Sequence, residues 1–299
     1  MIVFDRLAKH YGSFWAVDNL SFVVQPGKVT GFLGPNGAGK TTTMRMSTGL
    51  IRPDAGQVTF DGKPYAKLAK PATKVGVSME PVVFHPGRTA MDHLMMLAPY
   101  AGAGKQRCKK VLDMVGLADV ANKRVGKFSL GMRGRLNLAA AMLGDPGIVM
   151  LDEPINGLDP EGIRWIRELM QSLAAEGRTV LVSSHLLSEV EQTVDDLVII
   201  AHGRLVYSGT LADLEASRTT AVSVKATDPD GFRYLARTQG WTIQDGPNSP
   251  DGITVEGVSP AEIGAAALNA GIVIEGLTAH SSDLESIFLQ LTEGQGDMR

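Results

Sequence analysis

Two short stretches of this 299-residue chain carry the residue types that phosphate chemistry needs. The first is Gly34-Pro35-Asn36-Gly37-Ala38-Gly39-Lys40-Thr41, a glycine, four residues, then Gly-Lys-Thr. Glycines let backbone N–H groups turn inward around phosphate oxygens, and a helix starting at the loop's end adds about half a positive charge. In that chemistry Lys40 reaches the β- and γ-phosphates, the Thr41 hydroxyl ligates magnesium, and Pro35, Asn36, Ala38 and Thr42 complete the binding surface. The second stretch is Ile148-Val149-Met150-Leu151 followed by Asp152-Glu153-Pro154, four apolar residues that deliver two adjacent carboxylates. Asp152 suits magnesium and Glu153 suits polarising an attacking water. Read singly, the first stretch is also compatible with a structural turn and the second with an ordinary loop start. Together they predict a nucleoside triphosphatase using Mg2+.

These residues need a scaffold that brings distant segments to one edge. Val29–Leu33 reads as a strand running into the glycine-rich loop, and a helix is predicted from Thr41 to Leu50. Ile148–Leu151 and Thr179–Ser183 read as further buried strands, with a helical pattern over Gly162–Ala175 between them. Alternation of this kind predicts an α/β fold with a mainly parallel sheet, which binds ligands at the C-terminal ends of its strands. Residues 88–145 break the rhythm, with three helix-like segments starting near Thr89, Lys105 and Ser129, and are read as a helical insertion.

Composition excludes whole classes. Hydrophobic residues make up 44% of the chain and charged ones 20%, too apolar for a disordered chain, and the 34 glycines follow no triplet period, so the chain is not collagen-like. No run approaches the ~20 apolar residues that span a bilayer, and the N-terminus has no signal-like apolar core, so an unexported protein is expected. The one cysteine, Cys108, forms no internal disulfide and builds no cysteine zinc site; between Arg107 and Lys109 it is a reactive thiol or, by the plainer reading, an ordinary helical residue. The net charge of -3 hides a split, with 24 basic and 19 acidic side chains over residues 1–210 against 5 and 13 over 211–299. Two units with different surfaces follow. Neither has the basic run that nucleic acid requires, and Lys105–Lys110 reads as a solvated helix face.

Three further segments resemble those of the ATP-binding cassette (ABC) ATPases. Phe128-Ser129-Leu130-Gly131-Met132-Arg133 is similar to their signature sequence, Gly157-Leu158-Asp159-Pro160 to their D-loop, and His185 after the strand Thr179–Ser184 to their switch histidine. The resemblance spans residues 1–210. It implies a P-loop ABC cassette with a helical subdomain, in which two copies pack head to tail and each ATP lies between the phosphate loop of one and Ser129 and Gly131 of the other. Asp159 then lies at the interface, His185 contacts the γ-phosphate and attacking water, and Tyr11, placed upstream of the first strand pair, stacks on adenine; Phe14 and Trp15 lie close enough to make a core role for these aromatics an alternative. Two departures stand out. Glu80 occupies the position of a glutamine that usually contacts magnesium, and Leu130, Met132 and Gly134 replace commoner signature residues.

From Thr220 the pattern becomes a strand at Val222–Val224, a helix over Gly231–Trp241, strands at Thr242–Gln244 and Ile253–Val255, a helix at Pro260–Asn269 and a strand at Ile272–Ile274. That order predicts a small α+β, ferredoxin-like domain, closed by a helix whose capping box is Ser282 with Glu285. The expected division is 1–214 for the cassette and 215–299 for an acidic accessory domain. Its tail resembles that of stand-alone ATPases that drive exporters. The resemblance implies a homodimer that energises a separate membrane permease, held at the inner face of the cell membrane, with no nucleic-acid partner; a soluble ABC ATPase acting on the ribosome or nucleic acid is the alternative. Met91, Met95 and Met96 are read as core filling, with contact to a permease as the other reading.

Overall fold

The computed structural model describes residues 1–79, 84–216, 220–245, 253–281 and 284–293. The chain divides into two compact units, one built on Met1–Ala212 together with the chain from Gln290, the other on Asp213–Leu289.

The first unit opens with a hairpin, β1 (Ile2–Tyr11) and β2 (Phe14–Val24), followed by β3 (Val29–Leu33), α1 (Lys40–Ser47), β4 (Ala55–Phe60) and β5 (Val75–Ser78). Then come α2 (Ala90–Leu97), α3 (Lys105–Met114) and α4 (Leu130–Ala141) with no strand among them, as the helical insertion required. The unit continues through β6 (Ile148–Leu151), α5 (Pro160–Ala175), β7 (Thr179–Ser184), α6 (Leu187–Val190), β8 (Asp196–Ala201) and β9 (Arg204–Thr210), with α7 (Leu211–Ala216) at the junction. Six strands form one sheet in the order β5-β6-β7-β3-β8-β9, parallel except for β9. Every residue of β3, β6 and β7 is buried, which is why these strands read as unbroken apolar runs. Since β6, β7 and β3 are neighbours, their C-terminal ends bring Asp152, His185 and the phosphate loop to one edge.

A second, antiparallel sheet, β2-β1-β4, was not foreseen. Its alternation is interrupted by register shifts in β1, which blur the period-two signal. Aromatic stacking joins it to the parallel sheet: Phe4 lies 4.1 Å from Phe22 and Phe22 lies 5.2 Å from Phe32 of β3, centroid to centroid. Tyr11 ends β1 opposite Phe14, so it sits within this hairpin and not upstream of it. Helix α1 stops at Ser47, short of the expected Leu50, because Gly49 turns left-handed at φ 77° and its N–H returns to Met46.

The core-filling expectation fails for Met95 and Met96, while Met91 is partly buried. Helix α2 buries Ala90 and Leu94, leaving Met95 and Met96 exposed, and the Met96 sulfur instead takes a hydrogen bond from Arg88 Nη1 at 2.9 Å. Cys108 is an ordinary buried residue of α3, whose lysines 105, 109 and 110 face solvent.

In the second unit β10 (Thr220–Ala226), β11 (Thr242–Asp245), β12 (Ile253–Glu256) and β13 (Ile274–Ser281) form an antiparallel sheet in the order β11-β12-β10-β13. Along the chain these strands and two helices follow the predicted order strand-helix-strand-strand-helix-strand. Helices α8 (Pro229–Thr238) and α9 (Pro260–Asn269) supply Phe232, Leu235 and Ile263 to a core completed by Val222, Val224, Ile253 and Val255. Helix α8 begins earlier than Gly231 because Asp228 caps it, accepting from the Gly231 N–H, and α9 carries a full capping box between Ser259 and Glu262. The last strand starts at Ile274, not Ile272, since the Ile272 N–H closes α9 by bonding Ala267. The described residues end with α10 (Leu284–Glu293); Ser282, the expected cap, lies outside them.

Candidate nucleotide site

The phosphate loop joins β3 to α1 through backbone that only glycine permits. Gly39, at φ 103°, caps α1, and a Cβ there would collide with the Ala16 carbonyl oxygen; one at Gly34 would collide with the Ile200 carbonyl oxygen. Gly37 also has positive φ, with open space where a side chain would stand. The first-turn amides of α1 lack intrahelical acceptors by construction, so this end of the helix is suited to phosphate oxygens. Lys40 is buried, and its ammonium donates to the carbonyl of Gly34 at 2.6 Å while lying 3.4 Å from Oε1 of Glu153.

Across the strand ends, Thr41 Oγ1 donates to Asp152 Oδ2 at 3.0 Å. Two hard oxygens so placed, beside a phosphate loop, fit a magnesium ion. The other carboxylate oxygen of Asp152 accepts from Ser183 Oγ at 2.6 Å, and the same hydroxyl accepts from the Glu153 N–H at 2.9 Å. Glu153 is held at φ 48°, a left-handed conformation that costs a non-glycine residue about 1–2 kcal/mol. Its carboxylate meets Lys40 and His185 while that of Asp152 meets Thr41 and Ser183, so two adjacent acids serve different places. Oε2 of Glu153 meets Nδ1 of His185 at 2.9 Å. Glu189 accepts from Ser184 Oγ at 2.5 Å, and its carboxylate lies with Glu153 and His185 in a group of ligand-type atoms within 4.8 Å.

One cleft is lined by Tyr11, Phe14, Asn36–Thr42, Glu153 and His185. Tyr11 and Phe14 are both half-exposed and stand as a cross-strand pair at its rim, where Lys9 Nζ lies 5.5 Å above the Tyr11 ring. Ser129, Gly131 and Asp159 do not line this cleft. Ser129 caps α4, accepting from Met132 N–H at 3.2 Å, and Asp159 caps α5, accepting from Gly162 N–H at 2.8 Å. Gly131 packs beside Leu158 and Gly157, while Leu130 is 64% exposed at the head of α4, which places an apolar residue where the signature helix meets solvent. Glu80 lies outside the described residues. Sequence reasoning missed Phe14 and Asn156 as lining residues, and Ser183 as the link between the two acids. A polar pair, Ser183-Ser184, ending an otherwise apolar strand was the available signal.

A phosphate loop at a helix N-terminus, with two carboxylates ending β6 two strands away in the same parallel sheet, defines a P-loop nucleotide-binding core. Residues 17–156 match the ABC transporter family model, and residues 220–285 match a domain of unknown function, DUF8746. The bacitracin transport ATP-binding protein BcrA of Bacillus licheniformis is 46% identical over 203 residues, covering 67% of this chain and 66% of that protein. The Nod factor export ATP-binding protein I of Paraburkholderia xenovorans (strain LB400) is 38% identical over 234 residues, covering 77% of each. A solved ATP-binding subunit of an ABC transporter superposes with a TM-score of 0.66 at 28% identity, over 72% of this chain and 92% of that one. The fold alone is shared with MJ0796, described as a dimeric bacterial ABC transporter cassette, at a TM-score of 0.65 and 23% identity over 71% and 99% of the two chains. The chain belongs to the ATP-binding proteins of the ABC transporter family.

Proposed function

We propose that this chain binds ATP with magnesium between two copies of itself, hydrolyses it, and thereby energises export through a separate membrane permease. The carrying observation is the division of the nucleotide residues. Lys40, Thr41, Glu153 and His185 share one cleft, while Ser129 heads a helix whose N-terminal end does not reach it. A second anion-binding helix end is useful when the γ-phosphate comes from another copy, which makes ATP the adhesive of the dimer.

In this reading the loop amides and Lys40 hold the phosphates, and Tyr11 receives the adenine face. Thr41 and Asp152 would hold magnesium, with Glu80 as a further acid toward it; the ion supplies neutralisation of phosphate charge. Glu153 takes a proton from the attacking water, and His185, tethered to Glu153 through Nδ1, leaves Nε2 for the water and the γ-phosphate. Pro35, Asn36, Ala38 and Thr42 shape the loop, and Asp159 joins Ser129 and Gly131 at the facing surface. Positioning and charge stabilisation supply the rate.

Export is supported by relatives named for bacitracin transport, Nod factor export and lantibiotic transport. No helix among the described residues is long and apolar enough to cross a membrane. Relatives named as ATP-binding proteins of transport and export systems support a transport path carried by a partner chain. Location on the inner face of the membrane follows from that partner. The cassette is assigned to residues 1–214 and the accessory domain to 215–299. The test is phosphate release by the purified chain as a function of its own concentration: a specific activity that rises with concentration supports the dimer, and one that stays flat from nanomolar to micromolar protein contradicts it. Co-expression with a membrane permease should move the chain to the membrane fraction.

A further inference from the structure

Ser183 lies wholly buried near the end of β7, two residues before His185. Its single hydroxyl serves both acids of the neighbouring strand. It donates to Oδ1 of Asp152 at 2.6 Å and accepts from the Glu153 backbone N–H at 2.9 Å. A hydroxyl has one hydrogen and two lone pairs, so the donating and accepting directions are compatible and fix its rotor. With Oδ1 occupied by Ser183, Asp152 presents Oδ2 toward Thr41, the oxygen already 3.0 Å from that hydroxyl. On the other side, the bond to the Glu153 N–H compensates the left-handed turn at φ 48° that points this carboxylate toward Lys40 and His185.

We infer that Ser183 is the positioning residue that sets both the magnesium-facing oxygen of Asp152 and the backbone turn of Glu153, so that metal affinity and water activation depend on one buried hydroxyl. The inference rests on the nucleotide reading proposed above. An aliphatic replacement leaves Asp152 Oδ1 and the Glu153 N–H without this partner, in a place where Asp152 itself is 5% exposed. Asp152 then rotates among alternatives and the base loses its fixed turn. Partners of metal ligands typically alter metal affinity or activity by about 10–100-fold.

The test compares full-length wild type, Ser183→Ala and Ser183→Thr, measuring kcat, the magnesium concentration for half-maximal rate, and ATP binding in the absence of magnesium. Ser183→Ala is expected to lower kcat and raise the magnesium half-saturation, each roughly 10–100-fold, while metal-free ATP binding stays at the wild-type level. Ser183→Thr, which keeps the hydroxyl, should restore at least half of the wild-type kcat. A fall in kcat with an unmoved magnesium half-saturation gives Ser183 a structural role only and overturns the inference, as does an alanine variant with wild-type values of both. If Ser183→Ala instead loses its ATP binding or its folded thermal transition, Ser183→Cys, close in size and a weaker donor, takes its place under the same criteria. Failure of the nucleotide reading is recognised separately, by a wild-type chain that releases no phosphate at any magnesium concentration.

Discussion

Nδ1 of His185 stands 2.9 Å from Oε2 of Glu153, joining the end of β7 to the end of β6 beside the phosphate loop. A carboxylate partner fixes Nδ1 as the donating nitrogen and holds the imidazole's orientation at the wall of the cleft. His185→Ala removes that anchor and the contact to water together. Turnover should fall by about 10²-fold or more, with ATP binding intact because Lys40 and the loop amides remain. Steady-state phosphate release alongside nucleotide titration checks this; an alanine variant with wild-type kcat would show that the pair is not used.

Glycine at position 39 is a backbone requirement. With φ at 103° and the Ala16 carbonyl oxygen in the way of any Cβ, Gly39→Ala costs at least about 1–2 kcal/mol from the left-handed backbone alone. Both folding stability and ATP binding should drop. Gly134→Ala has the opposite sign: this glycine lies inside α4 with open space around it, and alanine should add about 0.5–1 kcal/mol. Urea unfolding of the two variants decides the matter, and equal effects would contradict the backbone argument.

Cys108 is buried in α3, and that burial raises its thiol above the usual range. Thiolate, the reactive form, is therefore scarcer at pH 8 in the folded chain than in the unfolded one. Alkylation by iodoacetamide at pH 8 should be slow in native buffer and fast in urea. Comparable rates in both would show that α3 opens readily.

The motifs of the first unit were legible because they are local. Gly34–Thr41 and Asp152-Glu153 are contiguous motifs, and β3, β6 and β7 are buried on both faces, so each reads as an apolar run with a fixed end. What stayed hidden depends on partners far along the chain. The β2-β1-β4 sheet is irregular in register, and its pairing of Tyr11 with Phe14 at the hairpin turn moved Tyr11 from the place first expected. The exposure of Met95 and Met96 depends on which face of α2 is turned inward, a choice made by Ala90 and Leu94. Ser183 joins two acids thirty residues away, a relation that only the adjacency of β6 and β7 creates.

The central claim is that Glu153 activates water for hydrolysis in an ATP-bridged dimer. Its most direct test is Glu153→Gln with ATP and magnesium, followed by light scattering for mass and by phosphate release for turnover. Glutamine keeps the size and the hydrogen-bonding reach but cannot take a proton. The account predicts that the variant binds ATP, accumulates as a dimer of full-length chains and releases phosphate at least about 10²-fold more slowly than wild type. Multiple turnovers at the wild-type rate, or a chain that stays monomeric at saturating ATP, would contradict it.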